Sequence, residues 1–297
     1  GWAARRAGPE TISMSAQDLT RKPTLELTSA QLADFLTAGF EDYLTPARFT
    51  AAGLERRMRP EHLDPQASSV YFRGDELAGV ILIARRGWTS RVAAMGVAKP
   101  MRGQGVGRRM LADALGEAHS RGDRKMLLEV FEQNPSAVHL YRAVGFQMVR
   151  RLLGYHRPAE PGEAAGLEEI DPSHYAQVAA REYEPNLPWM LAPETLAGWV
   201  APVRAFALED AAYALTNDTP GESFLLWGLT VRKPQRRKGL GRRMLRALVA
   251  LYGGKGCQIV QIVPEKLAPE FFVKLGFNPL SLNQFEMVHD LKLGGSV

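Results

Sequence analysis

Val97-Ala-Lys-Pro-Met-Arg-Gly-Gln-Gly-Val-Gly-Arg-Arg-Met-Leu111 aligns without a gap on Val231-Arg-Lys-Pro-Gln-Arg-Arg-Lys-Gly-Leu-Gly-Arg-Arg-Met-Leu245, 134 residues downstream. A repeat of that length marks an internal duplication, so whatever one copy folds into, the other must be able to fold into as well. Each copy reads as an apolar strand, a Pro-bearing turn, a basic Gly-spaced loop and the start of an amphipathic helix.

The 297 residues suit two domains of roughly 140 residues, each large enough to bury its own core. His156-Arg-Pro-Ala-Glu-Pro-Gly-Glu-Ala-Ala-Gly166 is rich in Pro, Gly and Glu and has no periodicity. We therefore expect a poorly structured segment at 1–22, a first domain at 23–157, a linker at 158–167 and a second domain at 168–297.

Apolar residues make up 45% and charged residues 23% of the chain, the balance of a soluble globular protein, and no apolar run approaches the ~18 residues of a membrane span. Gly1 to Pro9 has no apolar core of the signal-peptide kind, and Met14 lies nearer a natural start. A single cysteine, Cys257, rules out an internal disulfide framework and reads as a small buried hydrophobe. These features predict a cytoplasmic protein. The net charge of +5 is scattered apart from the two Gly loops and Arg56, Arg57 and Arg59, which argues against nucleic-acid and membrane partners.

In the first half, periodicity predicts helices over 29–40 and 46–58 and strands over 69–72, 77–84 and 91–97. A helix then runs from the loop to about His119, followed by a strand over 125–131, a helix opened by Pro135 and stopped at Gly145, and a last strand over 146–153. The second half predicts helices over 173–182 and within 188–200, strands over 205–214 and 224–231, the repeated loop and helix, a strand over 258–263, a helix over 268–275 and a strand over 285–291. Together these give an α+β fold of mixed α/β layers with a mostly antiparallel twisted sheet flanked by helices in each half.

Arg102-x-x-Gly105-x-Gly107 and Arg236-x-x-Gly239-x-Gly241 place glycines where backbone must approach a ligand closely. Each loop runs into a helix amino terminus, whose unpaired N–H groups and dipole favour an anion. Arg108, Arg109, Arg242 and Arg243 sit just inside those helices, where a cation opposes the dipole unless a polyphosphate is nearby. A single such loop is also ordinary scaffolding. The pattern is neither a P-loop, lacking Gly-Lys-Ser/Thr, nor a dinucleotide fingerprint.

The order Val97, Arg102-Gly-Gln-Gly-Val-Gly107, helix, Leu128-Glu-Val130, Asn134, Ala137 and Leu140-Tyr-Arg-Ala-Val-Gly-Phe146 resembles the GNAT superfamily of acetyl-coenzyme A (acetyl-CoA) dependent N-acetyltransferases. Arg236 to Gly241 and Phe271-Phe-Val-Lys-Leu-Gly-Phe277 carry the resemblance into the second half, which makes a tandem two-domain arrangement. The resemblance implies acetyl-CoA as cosubstrate, with Met95, Gly96 and Val97 offering backbone to the pantetheine arm. Gly103, Gln104, Gly105, Val106, Gly107 and Arg108 would hold the pyrophosphate, with Arg102 a further cofactor-binding candidate, and Asn134 would contact the pantetheine or help order the loop. The corresponding second-half candidates are Val231, Arg236, Arg237, Lys238, Gly239, Leu240, Gly241 and Arg242. Tyr141 would be the general acid at the thioester sulfur and Glu129 the base, with Glu132 as a fallback.

The chemistry asks for these residue types, because an amine protonated at neutral pH must lose a proton before it attacks a carbonyl. Each has a plainer reading too. Tyr141 lies at helical spacing from Val138 and Ala137, as a core aromatic would, and Glu129 alternates with Leu128 and Val130, as a solvent-facing residue would. His139 and His156 read as surface residues without metal-ligand spacing, so no metal is expected. No Ser-His-Asp arrangement is readable, which favours direct transfer over an acyl-enzyme.

Aligning Gly276 with Gly145 sets Phe272 opposite Tyr141, Glu265 opposite Asn134 and Val260 opposite Glu129. The first half is therefore expected to be the catalyst and the second a degenerate copy. The acceptor pocket of such proteins is shaped by the first two helices and their connection, here Phe40-Glu-Asp-Tyr43, and the expected acceptor is a small-molecule or peptide amine. The chain is expected to act as a monomer or homodimer. The competing class is a non-catalytic protein that binds or senses acyl-CoA.

Overall fold

The computed structural model describes residues 18–45 and 48–291. The first half contributes β1 (Leu19–Pro23), α1 (Ser29–Gly39), α2 (Ala51–Glu61), β2 (Ser69–Arg73), β3 (Glu76–Arg86), β4 (Thr89–Val97), α3 (Val106–Ser120), β5 (Lys125–Phe131), α4 (Pro135–Ala143) and β6 (Gln147–Arg157). The second contributes β7 (Leu167–Ile170), α5 (Pro172–Glu182), α6 (Pro193–Leu196), β8 (Val203–Leu208), β9 (Ala212–Asn217), β10 (Ser223–Val231), α7 (Leu240–Leu251), β11 (Gly256–Pro264), α8 (Pro269–Lys274), β12 (Asn278–Pro279) and β13 (Gln284–Asp290).

The strands form one continuous sheet in the order β1-β2-β3-β4-β5-β13-β6-β11-β10-β9-β8-β7, with β12 also pairing β6. It is mostly antiparallel, and the parallel neighbours among the described residues are β4 with β5 and β10 with β11. In the first half, Met110 and Leu111 of α3 and Val138 of α4 pack on Met126, Leu128 and Val130. Leu32 and Leu36 of α1 and Leu54 of α2 cover the opposite face over Val80 and Leu82. The result is the layered α/β architecture that the patterning predicts.

One detail of the sheet creates the clefts. The register of β3 with β4 runs Leu82 to Ala94 and then Ile83 to Val92, which leaves Ala93 bulged. That of β9 with β10 runs Thr216 to Leu226 and then Leu215 to Gly228, which leaves Trp227 bulged at the equivalent place. A bulge bends its strand and ends regular pairing. Accordingly β4 meets β5 only from Thr89 to Val92, and β10 meets β11 only from Ser223 to Leu225. Beyond those residues each pair splays apart.

Several expectations need correction. Strand β1 takes up Leu19 to Lys22, which the sequence reading placed in a poorly structured segment, while residues 1–17 lie outside the described residues. Helix α2 starts at Ala51 rather than at Pro46, which is also outside the described residues, because Thr50 caps it by accepting from Gly53 N at 3.1 Å. The single strand expected over 205–214 is a hairpin. Glu209 and Asp210 turn it with φ of +53° and +47°, a left-handed pair usually built from Asn and Gly. Here Arg243 holds Glu209, and Arg232 and Tyr213 hold Asp210.

The largest departure is at the centre. The strand expected to end at Leu153 continues to Arg157 and pairs with β11, while β13, assigned by sequence to the second domain, lies between β5 and β6. Residues 158–166 carry no helix or strand. The two copies therefore share strands across the division drawn from the sequence.

Candidate active site

Where β4 leaves β5, the chain enters the first glycine loop. Gly103 and Gly105 have φ of +75° and +80°, and a Cβ at Gly103 would meet nothing within 4 Å, so the loop is open on that side. Gly105 is the N-cap of α3 and no side chain caps that helix. The first amides of α3 are thus left without a capping side chain, with the positive end of the helix dipole behind them. Val106 is buried and can offer only backbone there, whereas Arg108 is exposed. At Gly107 a Cβ would lie 3.0 Å from Leu140 Cδ2, so its role is the close approach of α3 to α4.

Arg102 and Gln104 brace this loop. The Arg102 guanidinium donates to Val97 O at 3.0 Å and to Glu41 O at 2.6 Å, tying the loop to the end of β4 and to the connection after α1. Gln104 donates to Pro100 O at 2.7 Å and accepts from Arg73. The second copy repeats the brace, with Arg236 donating to Val231 O and Glu182 O, both at 2.9 Å. In both halves the first arginine of the motif is spent on carbonyls of its own chain, and the loop's own amides remain for an anion.

Met95, Gly96 and Val97 lie on the part of β4 that has lost β5, so the backbone edge facing the gap is unpaired. Gly96 is needed where it stands, because a Cβ there would be 2.8 Å from the Gly39 carbonyl carbon. Helix α1 thereby rests backbone to backbone on the cleft strand. Asn134 caps α4 by accepting from Ala137 N at 3.2 Å. The Tyr43 phenol lies nearby, and burial raises it above the ordinary tyrosine range.

Tyr141 lies on α4, 7% exposed, with Phe146 edge-on at 6.0 Å between ring centroids. Burial, with a smaller contribution from the nearby Tyr43 hydroxyl, pushes its phenol well above the ordinary tyrosine range. It stays protonated throughout the neutral range, the form a proton donor needs. Tyr43, from the connection after α1, packs on Phe40 and Phe131. Tyr43, Asn134 and Tyr141 therefore gather from three segments at the mouth of the splay.

Glu129 is on β5, its side chain 9% exposed, and is bound by Arg91 Nε at 2.8 and 3.2 Å. The solvent-facing reading of the sequence does not apply to it. Burial raises its carboxyl above the usual glutamate range; Arg91 opposes that rise, while Glu286 and Glu61 add to it. Arg91 also binds Glu61 at 3.2 Å. Glu132, the fallback base, is committed to Arg151 at 2.6 Å, which also binds Glu265 at 2.9 Å. Sequence reasoning missed Arg91, Glu61 and Glu286. The available signal was a charged residue at an inward position of an otherwise apolar strand, which calls for a buried partner.

The second copy keeps the cradle and loses the rest. Gly239 caps α7 with φ of +79° and open space around it, and Leu240 is buried as Val106 is. Gly241 is close-packed on Phe271, as Gly107 is on Leu140. Arg237 and Arg242 are exposed, Arg242 donating to Lys274 O at 3.4 Å, and Lys238 is bonded to Gln235 at 2.9 Å. Phe272 and Val260 are packed against the apolar core of this half.

Among the described residues no group of His, Cys, Asp or Glu side chains stands together as a metal site, and no helix is long and apolar enough to cross a membrane. Cys257 is buried, and burial pushes its thiol up.

Comparison with known proteins follows the same division. Residues 30–146 and 158–277 each match the acetyltransferase (GNAT) family. Two curated relatives match shorter stretches. N-alpha-acetyltransferase 30 of Schizosaccharomyces pombe is 29% identical over 100 residues, 32% of this chain and 67% of that protein. Streptothricin acetyltransferase of Streptomyces lavendulae is 36% identical over 73 residues, 24% of this chain and 39% of that protein. The fold as a whole is similar to a tandem GNAT protein from the clavulanic acid biosynthesis pathway, with a TM-score of 0.65 at 20% identity over 93% of this chain and all of that one. With two family domains covering most of its length, the chain belongs to the GNAT family of acetyltransferases and is a tandem-domain N-acetyltransferase.

Proposed function

We propose that the amino-terminal half transfers the acetyl group of acetyl-CoA to a primary amine by direct attack, with Glu129 as base and Tyr141 as acid. The observation that carries this reading is the open Gly103 to Gly107 cradle at the head of a splayed strand pair whose mouth holds the buried, protonated Tyr141. The cradle fits a diphosphate: Gly103 leaves room, its helix dipole is uncapped, and Arg108 adds charge.

The bound thioester supplies an electrophilic carbonyl carbon. As the C–N bond forms and the C–S bond breaks, Glu129 takes the proton released by the amine nitrogen and the Tyr141 hydroxyl gives one to the departing sulfur. Solvent then restores both groups. The backbone edge at Met95 to Val97 and the Asn134 amide orient the pantetheine arm.

The intact Gly239 cradle beside Phe272 and Val260 supports a narrower role for the carboxyl-terminal half, in which it binds acyl-CoA without turnover. The relatives' names include an N-alpha-acetyltransferase and an acetyltransferase of streptothricin, so the acceptor is sought among peptide amino termini and amine-bearing small molecules. The test is thiol release from acetyl-CoA with a panel that holds both kinds of amine, alongside calorimetric titration with acetyl-CoA. Turnover with at least one amine and a tight site lost with the Gly105 cradle supports the proposal. Binding without turnover on any amine would make the chain an acyl-CoA sensor instead.

A further inference from the structure

Strand β13 carries Glu286 into the first half directly opposite Glu129 on one side and Arg150 on the other. Cross-strand partners share a face, with Cβ atoms about 5 Å apart. Glu286 is 2% exposed and paired with Arg150. The Arg150 guanidinium also donates to Asn186 O of the second half at 2.7 Å. On the other flank Arg91 joins Glu129 to Glu61, which Arg57 also binds at 2.5 Å.

Glu61 too is held from the second half. Trp189 donates through its indole N–H to Glu61 O at 3.0 Å, and its ring lies 3.9 Å from the Arg86 guanidinium, which also bonds Thr195. Gly198 abuts Pro60 so closely that a Cβ there would be 2.5 Å from the Pro60 Cα. Glu286 is thus itself encoded after Arg157, and Glu61, whose carboxylate Arg57 and Arg91 hold, has its backbone clamped by residues encoded there. Arg57 and Arg150 serve the outer flanks of this layer, which leaves Arg91 alone between Glu61 and Glu129.

We propose that Arg91, Glu61 and Glu286 are positioning residues for Glu129, and that the carboxyl-terminal half, by supplying Glu286 and clamping Glu61, sets the place and the ionisation of the base in the amino-terminal half. This rests on the reading of Glu129 as base. The charged groups facing Glu129 are Arg91 from β4, Glu61 with Arg57 from α2, Glu286 from β13 and, behind it, Arg150 from β6. With one guanidinium shared by two carboxylates and a third carboxylate opposite, the Glu129 anion is less favoured than an isolated ion pair would be.

The test uses the full chain labelled with ¹³C at the glutamate side-chain carboxyls and titrated by NMR, with Glu129→Gln identifying the signal. The Glu129 midpoint should lie above the ordinary glutamate value and fall by about one pH unit in Glu286→Gln and in Glu61→Gln. It should rise in Arg91→Met and return towards the parent in Arg91→Lys. Glu265→Gln, whose partner is Arg151, should leave it unmoved. Glu61→Gln and Arg91→Lys carry the test if Glu286→Gln does not fold. An ordinary midpoint, or one indifferent to Glu286 and Glu61, would overturn the proposal. Thiol release by Glu129→Gln is read separately: full activity there removes the base role but leaves the electrostatic coupling standing.

Discussion

Phe272 lies flat on Tyr155, ring centroids 4.4 Å apart and planes within 13°, at the position in the second copy that corresponds to Tyr141 in the first. The ring that would face a cosubstrate is instead stacked on a strand that belongs in part to the other half. Stacking of this kind stabilises a pair by about 0.5–1.5 kcal/mol beyond the area it buries. It also leaves no hydroxyl at that place.

Tyr141→Phe should accordingly lower kcat by about 10²- to 10⁴-fold while acetyl-CoA still binds. Phe272→Tyr should add no second activity, since Val260 stands where a base would be needed, and Gly239→Glu should leave turnover largely intact. Steady-state thiol release with each variant checks all three. A large loss in Gly239→Glu with little in Tyr141→Phe would reverse the assignment of the two halves.

Gly96→Ala should destabilise the protein by about 1–3 kcal/mol, because the obstacle is the Gly39 backbone at 2.8 to 3.0 Å, which no rotamer change removes. Urea midpoints at constant m-value measure it. A neutral result would show that α1 is free to lift from β4.

Arg237 occupies the left-handed place that Gly103 fills in the first copy, at φ of +63°. A non-glycine residue there costs about 1–2 kcal/mol, part of which glycine gives back through the entropy of its unfolded chain. Arg237→Gly should therefore stabilise the chain by about 0.5–1 kcal/mol, and Gly103→Arg should do the opposite. Paired denaturant titrations of the two variants should give shifts of opposite sign.

Burial alone would push the Glu61 carboxyl up, yet Arg57 and Arg91 overcome it and hold the group below its ordinary 4.5. Its folded form binds fewer protons than its unfolded form in that window. The stability it contributes is present above the unfolded value and drains away as pH falls through the folded one. Glu129, raised in the fold, has the reverse sign, its contribution being lost as pH rises through its folded value. Stability of Glu61→Gln should be lower at neutral pH by about 3–5 kcal/mol and flatter between pH 5 and 3. Urea melts at several pH values would show it.

Much of this arrangement was legible in the residues. The 134-residue repeat returns in three dimensions as matched cap glycines, Gly105 and Gly239, and as bulges at Ala93 and Trp227. Local signals such as Pro135 behind the Asn134 cap placed α4 correctly. The Glu209-Asp210 turn escaped because Glu disfavours left-handed backbone, and it is held by Arg232 and Arg243, more than 20 residues away. The brace made by Arg102 escaped for a related reason: its acceptors are carbonyls, which sequence does not advertise. The environment of Glu129 was hidden altogether, since Arg91, Glu61 and Glu286 come from three distant segments and meet only through tertiary packing.

The strand that fills the space between Lys125–Phe131 and Gln147–Arg157 follows every other described strand in the chain. A ribosome that has released the first half has released an open sheet, with two backbone edges waiting for Gln284–Asp290. Those edges invite a neighbouring polypeptide until the last strand arrives. Maturation of the amino-terminal cleft is thereby tied to the arrival of Gln284–Asp290, and the halves, though copies, share a strand that a cut at the linker would not separate.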